Sequence, residues 1–281
     1  MMAKQSIITL VKYQALGNDY LFINSSKFKR PTASFVKKIC HRNFGIGSDG
    51  VLYGGKSDDG NFSLEIFNPD GSVAEMSGNG VRIFARAIVD LGLAQVNDSI
   101  NVNTIKKEVN VTINGLNSIS VNMGKPSFID DNIPQFQSKY GETDINGKRI
   151  KYYPVSVGNP HCVVFVDEIS TKDVVTLGPR LEKNYLYPQK TNVQLAHVIN
   201  DKNIEIGIWE RGAGYTLSSG SSACAVFAVA SFFRLCSESA TIHMPGGNLQ
   251  VEMNKDGEII QSGPVEKIAS CNVDSEFMRD L

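Results

Sequence analysis

The sequence has almost no imbalance of charge. It contains 28 Lys and Arg residues against 29 Asp and Glu residues, a formal net charge of -1, and neither a basic block nor an acidic tail. Proteins that bind nucleic acids usually carry a clustered excess of basic residues. We therefore expect no nucleic-acid partner, and the composition favours a small, specifically bound ligand.

Long apolar runs, a leader segment and cysteine motifs are also lacking. The longest apolar-rich stretch, residues 223–235, is interrupted by Ser231 and Arg234 and is too short to cross a bilayer, so we expect no membrane partner. Residues 1–12 have no long apolar core and no cleavage site, which predicts a cytoplasmic protein. The five cysteines form no CxxC motif, a pattern that favours reduced, buried thiols in a cytosolic protein.

Signs of a cofactor are absent from the sequence as well. The four histidines, at positions 41, 161, 197 and 243, are scattered, so we predict no metal site. There is no glycine-rich nucleotide motif and no lysine in a Schiff-base context. We therefore predict that the protein works without pyridoxal phosphate and without any other cofactor.

An internal repeat with an offset of 141 or 142 residues is the most informative feature that is present. Three pairs of landmarks share this offset: residues 17–20 (GNDY) with 158–161 (GNPH), Phe67-Asn68 with Trp209-Glu210, and residues 77–81 (SGNGV) with 219–223 (SGSSA). One such match could arise by chance, but three in constant register indicate a duplication.

Each half has the same predicted plan. Strand-like segments come first, then a turn rich in Gly and Ser, an apolar helix, and further short strands. The helices, predicted at residues 81–91 and 223–235, are apolar nearly all round, so each should be enclosed by its own sheet. The expected fold class is α/β, with two pseudo-symmetric domains that are each a mostly antiparallel sheet or barrel wrapped around a central helix.

The predicted domain boundaries follow from this repeat. We expect an N-terminal domain of residues 1–126, to which residues 268–281 return, and a C-terminal domain of residues 127–267. The polar segment 129–148 is typical of a connection between domains.

A Ser-Gly turn precedes each predicted helix and suggests a ligand site. The start of a helix leaves backbone N–H groups unpaired and is electropositive, so a carboxylate binds there readily. If the two halves face each other, Ser77 and Ser219 would flank one bound carbon, as inversion of a stereocentre by two proton-transfer groups requires. The structural alternative is that both serines are ordinary N-caps.

The motifs of this chain resemble those of the diaminopimelate epimerase family. They run in order over nearly the whole sequence: residues 16–20 (LGNDY), 42–49 (RNFGIGSD), 67–72 (FNPDGS), 78–82 (GNGVR), 158–161 (GNPH), 210–220 (ERGAGYTLSSG) and 245–249 (PGGNL). The resemblance implies two α/β domains with an amino-acid substrate between them, epimerisation without a cofactor as in lysine biosynthesis, and a homodimer as the assembly to test.

The resemblance also implies a set of site residues. Ser77 and Ser219 would occupy the two catalytic positions, and the backbone of Gly78, Asn79, Gly220 and Ser221 would hold the substrate carboxylate. The side chains expected to line the substrate site are Asn18, Asn68, Asn159, Asn192, Glu210 and Arg211. Arg211 suits a bidentate carboxylate contact and Glu210 an ammonium group. The alternatives are local turn roles for the asparagines and a surface ion pair for Glu210 and Arg211.

Serine at both catalytic positions departs from the cysteine pair of the family. A serine hydroxyl is far less acidic than a thiol, so this form should be inactive or very slow. Three explanations remain open: a Cys→Ser double variant of an active enzyme, a natural relative with altered chemistry or a binding role, and slow serine-based epimerisation.

Two further departures concern the substrate. Gly50 stands where the family usually has Gln, and we expect it to leave room in the site; Tyr215 stands where the family usually has Glu. These departures leave a racemase of another amino acid, such as histidine, as an alternative. A non-catalytic amino-acid-binding relative and a dicarboxylate isomerase on a related duplicated fold are the other two, although Glu210 argues against the latter.

Overall fold

Two compact units make up the chain. A computed structural model describes residues 8–57, 60–145 and 147–279. The N-terminal unit comprises the described residues of Met1–Val121 and Pro264–Leu281, and the C-terminal unit is formed by Asn122–Gly263.

The N-terminal unit carries one mixed sheet and two helices. Its strands are β1 (Ile8–Ala15), β2 (Asn18–Asn24), β3 (Val51–Lys56), β4 (Phe62–Phe67), β5 (Val73–Ala74), β6 (Ser99–Asn103), β7 (Glu108–Gly115), β18 (Glu266–Val273) and β8 (Ser118–Gly124), whose last three residues are assigned to the C-terminal unit. Its helices are α1 (Ala33–Cys40) and α2 (Gly78–Asp90). The spatial strand order is β18-β1-β2-β3-β4-β6-β7-β8, with β5 also paired to β4. The β2–β3 and β4–β6 pairs are parallel, and the other pairs are antiparallel.

The C-terminal unit repeats this arrangement. Its strands are β9 (Gly141–Ile145), β10 (Lys148–Ser156), β11 (Pro160–Phe165), β12 (Asn192–Asn200), β13 (Asn203–Glu210), β14 (Gly214–Thr216), β15 (Ser239–Met244), β16 (Gly247–Met253) and β17 (Ile259–Gly263). Its helices are α3 (Thr171–Glu182) and α4 (Gly220–Phe232). The order β9-β10-β11-β12-β13-β15-β16-β17, with β14 on β13, matches the first unit strand for strand. The β11–β12 and β13–β15 pairs are the parallel ones, at the equivalent positions.

Each unit is organised around its longest apolar helix. Helix α2 contacts strands β1–β4 and β7, and α4 contacts β10–β13 and β15–β17, so each sheet curves around its helix. Helix α4 contains no charged residue, and α2 is buried from Gly78 to Ala85, including Arg82, with the Arg86–Asp90 ion pair near its end reaching solvent. The predicted fold class of two duplicated units, each with a mostly antiparallel sheet around a central helix, is confirmed. None of the helices within the described ranges is long and apolar enough to span a membrane.

The structure differs from the sequence prediction in three respects. The central helices begin three residues earlier than predicted, at Gly78 and Gly220, because each starts directly after its N-cap serine. Helices α1 and α3 were not predicted. Most of segment 129–148 is not a bare connection, since Ile133 and Ile145 lie in the core of the C-terminal unit and β9 pairs with β10.

We predict that stability of the C-terminal unit depends on the filled space around α4. Phe227 is fully buried, whereas Phe232 at the end of the same helix is 51% exposed. Phe227→Ala should lower the free energy of unfolding by about 3–5 kcal/mol because it leaves a cavity. Phe232→Ala, the matched control, should cost less than half as much in the same urea titration, and equal losses would contradict this account of the core.

Candidate functional site

Each unit presents a serine at the first position before its central helix. Ser77 precedes α2 with φ −142° and ψ 119°, and Ser219 precedes α4 with φ −150° and ψ 119°. These nearly equal backbone angles mean that the duplicated turn keeps one conformation in both units. The extended backbone is that of an N-cap, which directs the first helical N–H groups outward from the helix start.

The two serine side chains differ in their hydrogen bonds. Ser77 Oγ accepts a bond from the Gly80 N–H at 3.0 Å, and Tyr20 Oη lies 3.5 Å from it. Ser219 makes no side-chain cap bond, and its Oγ lies 3.4 Å from Ser221 Oγ. The N-cap alternative for these serines therefore holds for Ser77 but not for the Ser219 side chain.

The start of α4 is closely packed on one side. A Cβ atom at Gly220 would meet the amide end of the buried Gln261, so a side chain at this position would have to displace that amide. The first-turn N–H groups of both helices are suited to an anion by position and dipole.

Two of the predicted site residues meet in the N-terminal unit. The Asn79 amide Nδ2 donates to Asn18 Oδ1 at 3.3 Å, and the buried Arg82 donates to Asn79 Oδ1 at 2.8 Å. Asn18 Nδ2 in turn donates to Asp49 Oδ2 at 3.0 Å. The Asn18 side chain is therefore held beside the α2 start by a continuous hydrogen-bonded chain, a more specific role than a local turn contact.

A cluster of ion pairs is joined to this series of hydrogen bonds at Asp49. The Asp19 carboxylate accepts bonds from Lys12 and Arg42, both at 2.8 Å, and Arg42 also bonds to Asp49 at 2.6 Å. Burial alone would raise the pKa of Asp19, but the hydrogen bonds from Arg42 and Lys12 outweigh it and hold that pKa below its ordinary value.

Asn68 lies in an exposed turn between β4 and β5. Its Nδ2 donates to Ser72 Oγ at 2.9 Å, and its carbonyl accepts from the Gly71 N–H. The Ser72 hydroxyl and N–H both donate to Asp70, which lowers the pKa of that carboxyl. These hydrogen bonds stay within residues 68–72, so they fit the local turn role that is the alternative to substrate binding for Asn68.

In the C-terminal unit, Asn159 contacts a histidine that is fully enclosed. Asn159 Oδ1 lies 3.0 Å from His161 Nε2. Burial lowers the pKa of His161 to about 3, so the ring is neutral at pH 7. The neutral ring fixes the position of the Asn159 amide without supplying a positive charge.

Asn192 and Arg211 meet through the backbone in the same unit. Asn192 Oδ1 accepts from the Arg211 N–H at 3.0 Å, and its Nδ2 donates to the Pro160 carbonyl at 3.0 Å. The exposed Arg211 guanidinium donates to the Gln189 carbonyl at 3.2 Å. Asn192 thus ties the Glu210-Arg211 segment to β11, and the Arg211 side chain extends from a fixed backbone.

Sequence reasoning missed Glu182, the last residue of α3. This carboxylate is 5% exposed and accepts bonds from Trp209 Nε1 at 2.8 Å and from the Gly212 N–H at 3.2 Å. It therefore holds both sides of the Glu210-Arg211 segment. A Glu at the end of a helix of mixed polar and apolar residues carries no sequence signal of this role.

The expected room at Gly50 is not there. A Cβ atom at this position would lie 2.3 Å from the Phe67 carbonyl oxygen and 2.7 Å from Cε1 of Tyr20. The expectation that loss of Gln opens space was wrong, because the Tyr20 ring and the neighbouring strand fill it. Tyr215 packs against the core cluster of the C-terminal unit.

The thiols of the chain do not replace the missing cysteine pair. Cys40, Cys162 and Cys224 are buried, and Cys236 and Cys271 are partly buried. Burial raises the pKa of Cys162 to about 12 and that of Cys236 to about 11, so both are protonated at neutral pH. Among the residues that the structure describes, no three His, Cys, Asp or Glu side chains cluster as a metal site would require.

We predict that Asp19→Asn destabilises the protein in a pH-dependent way. The lowered pKa means that Asp19 stabilises the fold above its unfolded pKa of about 3.9, and that this contribution disappears as the pH falls through the lower folded value. Urea titration at pH 7 should give a loss of about 2 kcal/mol. At pH 3 the difference should shrink, whereas the exposed control Asp256→Asn should show no such trend. A loss that is unchanged at pH 3 would refute the assignment.

We predict that Glu182→Gln loosens the Glu210-Arg211 segment. An uncharged amide accepts the Trp209 and Gly212 bonds less well, at a cost of about 1–3 kcal/mol. Amide hydrogen exchange at Gly212 should become faster, and the exposed control Glu205→Gln on β13 should leave it unchanged. Unaltered exchange at Gly212 in the Glu182 variant would contradict the proposed role.

A comparison with protein families finds the same family that the motifs resemble. The model of the diaminopimelate epimerase family matches residues 10–129 and 153–268. The chain is 41% identical over 276 residues to diaminopimelate epimerase 2 from Nostoc sp., covering 95% of each chain. It is 36% identical over 269 residues to diaminopimelate epimerase from Desulfitobacterium hafniense, covering 91% of this chain and 94% of that one.

Solved structures share the fold at low sequence identity. A hydroxyproline epimerase from Agrobacterium vitis aligns with a TM-score of 0.70 at 12% identity, covering 97% of this chain and 94% of that one. A PhzF-family phenazine biosynthesis protein from Bacillus anthracis aligns with a TM-score of 0.69 at 13% identity, covering 96% and 100%. These neighbours support the duplicated α/β fold alone. The curated relatives are named as epimerases, which confirms the predicted isomerase class, and by its motifs, its fold and these matches the chain belongs to the diaminopimelate epimerase family.

Proposed function

We propose that this protein is an amino-acid epimerase that inverts an α-carbon by two-base proton transfer, with Ser77 and Ser219 at the two proton-transfer positions. The observation that carries the proposal is the repeated helix start, where a serine with nearly the same backbone angles precedes a buried helix in each unit. Inversion needs one group that removes the α-proton and another that delivers a proton to the opposite face.

The helix starts supply the electrostatic part of this chemistry. Removal of the α-proton places negative charge on the adjacent carboxylate oxygens, and fixed N–H donors stabilise that charge best. We assign the carboxylate to the backbone of Gly78 and Asn79 in one unit and of Gly220 and Ser221 in the other. Glycine at the first position of each helix supports this assignment, because it lets a ligand approach the backbone closely.

Recognition of the rest of the amino acid is assigned to the polar side chains beside the helix starts. Asn18, Asn159 and Asn192 are each oriented by a side-chain or backbone bond, which suits them to present an amide to substrate. We assign Glu210 to an ammonium group and the exposed Arg211 to a distal carboxylate. Asn68 is the weakest member of the set because its bonds are those of an exposed turn.

Diaminopimelate is the first substrate to test. The names of the relatives at 41% and 36% identity support it. Gly50 and Tyr215, the two differences from the family sequence that favoured another amino acid, now argue less strongly for it. Gly50 does not open the site, and the Tyr215 ring packs against the core. A racemase of a single amino acid such as histidine remains the alternative.

Serine at both positions determines the expected rate. Its hydroxyl is a much weaker acid than a thiol, and the neutral His161 ring adds no positive charge to favour deprotonation. We therefore expect the protein as it stands to bind substrate and to turn it over very slowly.

We predict that Ser77→Cys/Ser219→Cys restores proton exchange. In D2O with meso-diaminopimelate, deuterium incorporation at Cα should rise by at least about 10²-fold over the protein as it stands, the scale of general acid–base catalysis. Ser77→Ala/Ser219→Ala is the matched control and should be no faster than the serine form. The readout is the loss of the Cα proton signal by NMR.

The outcomes of this experiment separate the candidate functions. No exchange with diaminopimelate, histidine or any other amino acid in the thiol form would sink the proposal. Tight binding without exchange would instead indicate a non-catalytic amino-acid-binding protein. Full activity of a further Glu210→Gln variant on a dicarboxylate without an amino group would indicate an isomerase of a different substrate class.

A further inference from the structure

Tyr20 brings a second hydroxyl to the group at position 77. This residue is in β2, is 7% exposed, and directs Oη towards Ser77 Oγ at 3.5 Å. That distance is at the outer limit of a hydrogen bond. A phenol is protonated at neutral pH, so it can donate to an oxygen or sulfur atom at position 77.

Gly50 is the residue that makes room for the Tyr20 ring. Strands β2 and β3 run parallel, with Leu21 paired to Val51, and the Leu21 N–H donates to the Gly50 carbonyl at 3.1 Å. Tyr20 and Gly50, the residues before this pair, are therefore neighbours on adjacent strands. A Cβ atom at Gly50 would lie 2.7 Å from Cε1 and 3.1 Å from Cδ1 of Tyr20. A side chain at position 50 would therefore crowd both the Tyr20 ring and the Phe67 carbonyl, and a ring displaced in this way would carry the phenol away from Ser77.

The internal repeat gives a built-in comparison for this pair. Leu21 pairs with Val51 in one unit and Cys162 pairs with Val193 in the other, so the equivalents of Tyr20 and Gly50 are His161 and Asn192. In the second unit, the ring nitrogen of His161 bonds to Asn159, two residues away. The same fold position thus carries a polar ring in both units, and in the N-terminal unit that ring reaches the serine before the helix.

We propose that Tyr20 is a positioning residue that fixes the group at position 77 and lowers its affinity for a proton, and that Gly50 is required for it to do so. The proposal rests on the function proposed for Ser77. With the Gly80 N–H, the phenol would be the second donor directed at the same atom, and donors directed at a group favour its deprotonated form.

The first test measures proton affinity without requiring activity. In the Ser77→Cys background, the pKa of the introduced thiol is read from the pH dependence of its alkylation by iodoacetamide, resolved from the native cysteines by peptide mass spectrometry. Tyr20→Phe keeps the ring and removes the donor, so it should raise that pKa by about one pH unit. An unchanged pKa would overturn the proposal. Tyr53→Phe, which removes a hydroxyl that bonds to the Phe28 carbonyl in the same unit, is the control and should leave the pKa unaltered.

The second test moves the ring rather than removing its hydroxyl. Gly50→Ala should reproduce the pKa increase seen with Tyr20→Phe, and adding Tyr20→Phe to it should cause no further increase. Gly54→Ala is the matched control on the same strand. Its Cβ atom would meet a backbone oxygen at the same 2.3 Å and the Phe84 ring at 2.8 Å, so it should cost similar stability without moving Tyr20. An equal pKa increase in the Gly54 variant would show a general packing effect and refute the role of Gly50.

The third test connects the pair to turnover. In the Ser77→Cys/Ser219→Cys form, Tyr20→Phe should slow Cα deuterium exchange about tenfold and move one limb of the pH–rate profile to higher pH. If the thiol form shows no exchange with any substrate, the proposed function fails while the alkylation experiment still decides the role of Tyr20. Exchange with an unmoved pH profile would contradict Tyr20 alone.

Discussion

The start of a buried helix is the feature on which each unit depends. Helices α2 and α4 lie inside curved sheets, so the dipole and the N–H groups at their first turns are the part of each helix that a ligand can use. Serine before the helix, glycine at its first position and apolar residues beyond it serve this arrangement together. The asparagines and the ion cluster around Asp19 then orient polar groups next to a helix start that is already fixed.

The two units have the same fold but not the same site chemistry. Ser77 accepts the bond from Gly80 and lies beside the Tyr20 hydroxyl, whereas Ser219 has neither contact and lies beside Ser221. The C-terminal unit also contributes the Glu210-Arg211 segment, held by Glu182 and Asn192. Under the proposed function, the duplication provides two similar positions for proton transfer, and their unequal surroundings would give each position its own proton affinity. Such a difference suits a reaction in which one group starts as base and the other as acid.

Much of the fold could be predicted because the repeat fixes it twice. Strand segments, the two central helices and the serine turns each occur in both halves, so a weak local signal is strengthened by its partner at the constant offset. Helices α1 and α3 escaped prediction because α1 is only eight residues long and α3 contains a proline, although caps at Thr32 and Ser170 mark where they begin. The family motifs also pointed to Asn18 and Asn79, whose side chains are hydrogen-bonded to each other in the structure.

What the sequence could not reveal was contact across strands. The role of Glu182 depends on where α3 ends relative to β13, and the Tyr20 ring depends on the register of β2 against β3. The expectation of free space at Gly50 was wrong for the same reason. The absence of a side chain suggests space, but the Tyr20 ring from the neighbouring strand fills it. Pattern and composition carry no information of this kind, since it arises only when the sheet is assembled.

The central proposal is that the two helix starts hold one substrate carboxylate, and the very slow turnover expected of the serine form would allow this to be measured directly. Backbone amide resonances of Gly78, Asn79, Gly220 and Ser221 can be followed by NMR while meso-diaminopimelate is added to the serine form. The account predicts that all four move together along a single saturation curve. Movement in one unit only, or in neither at saturating ligand, would contradict it.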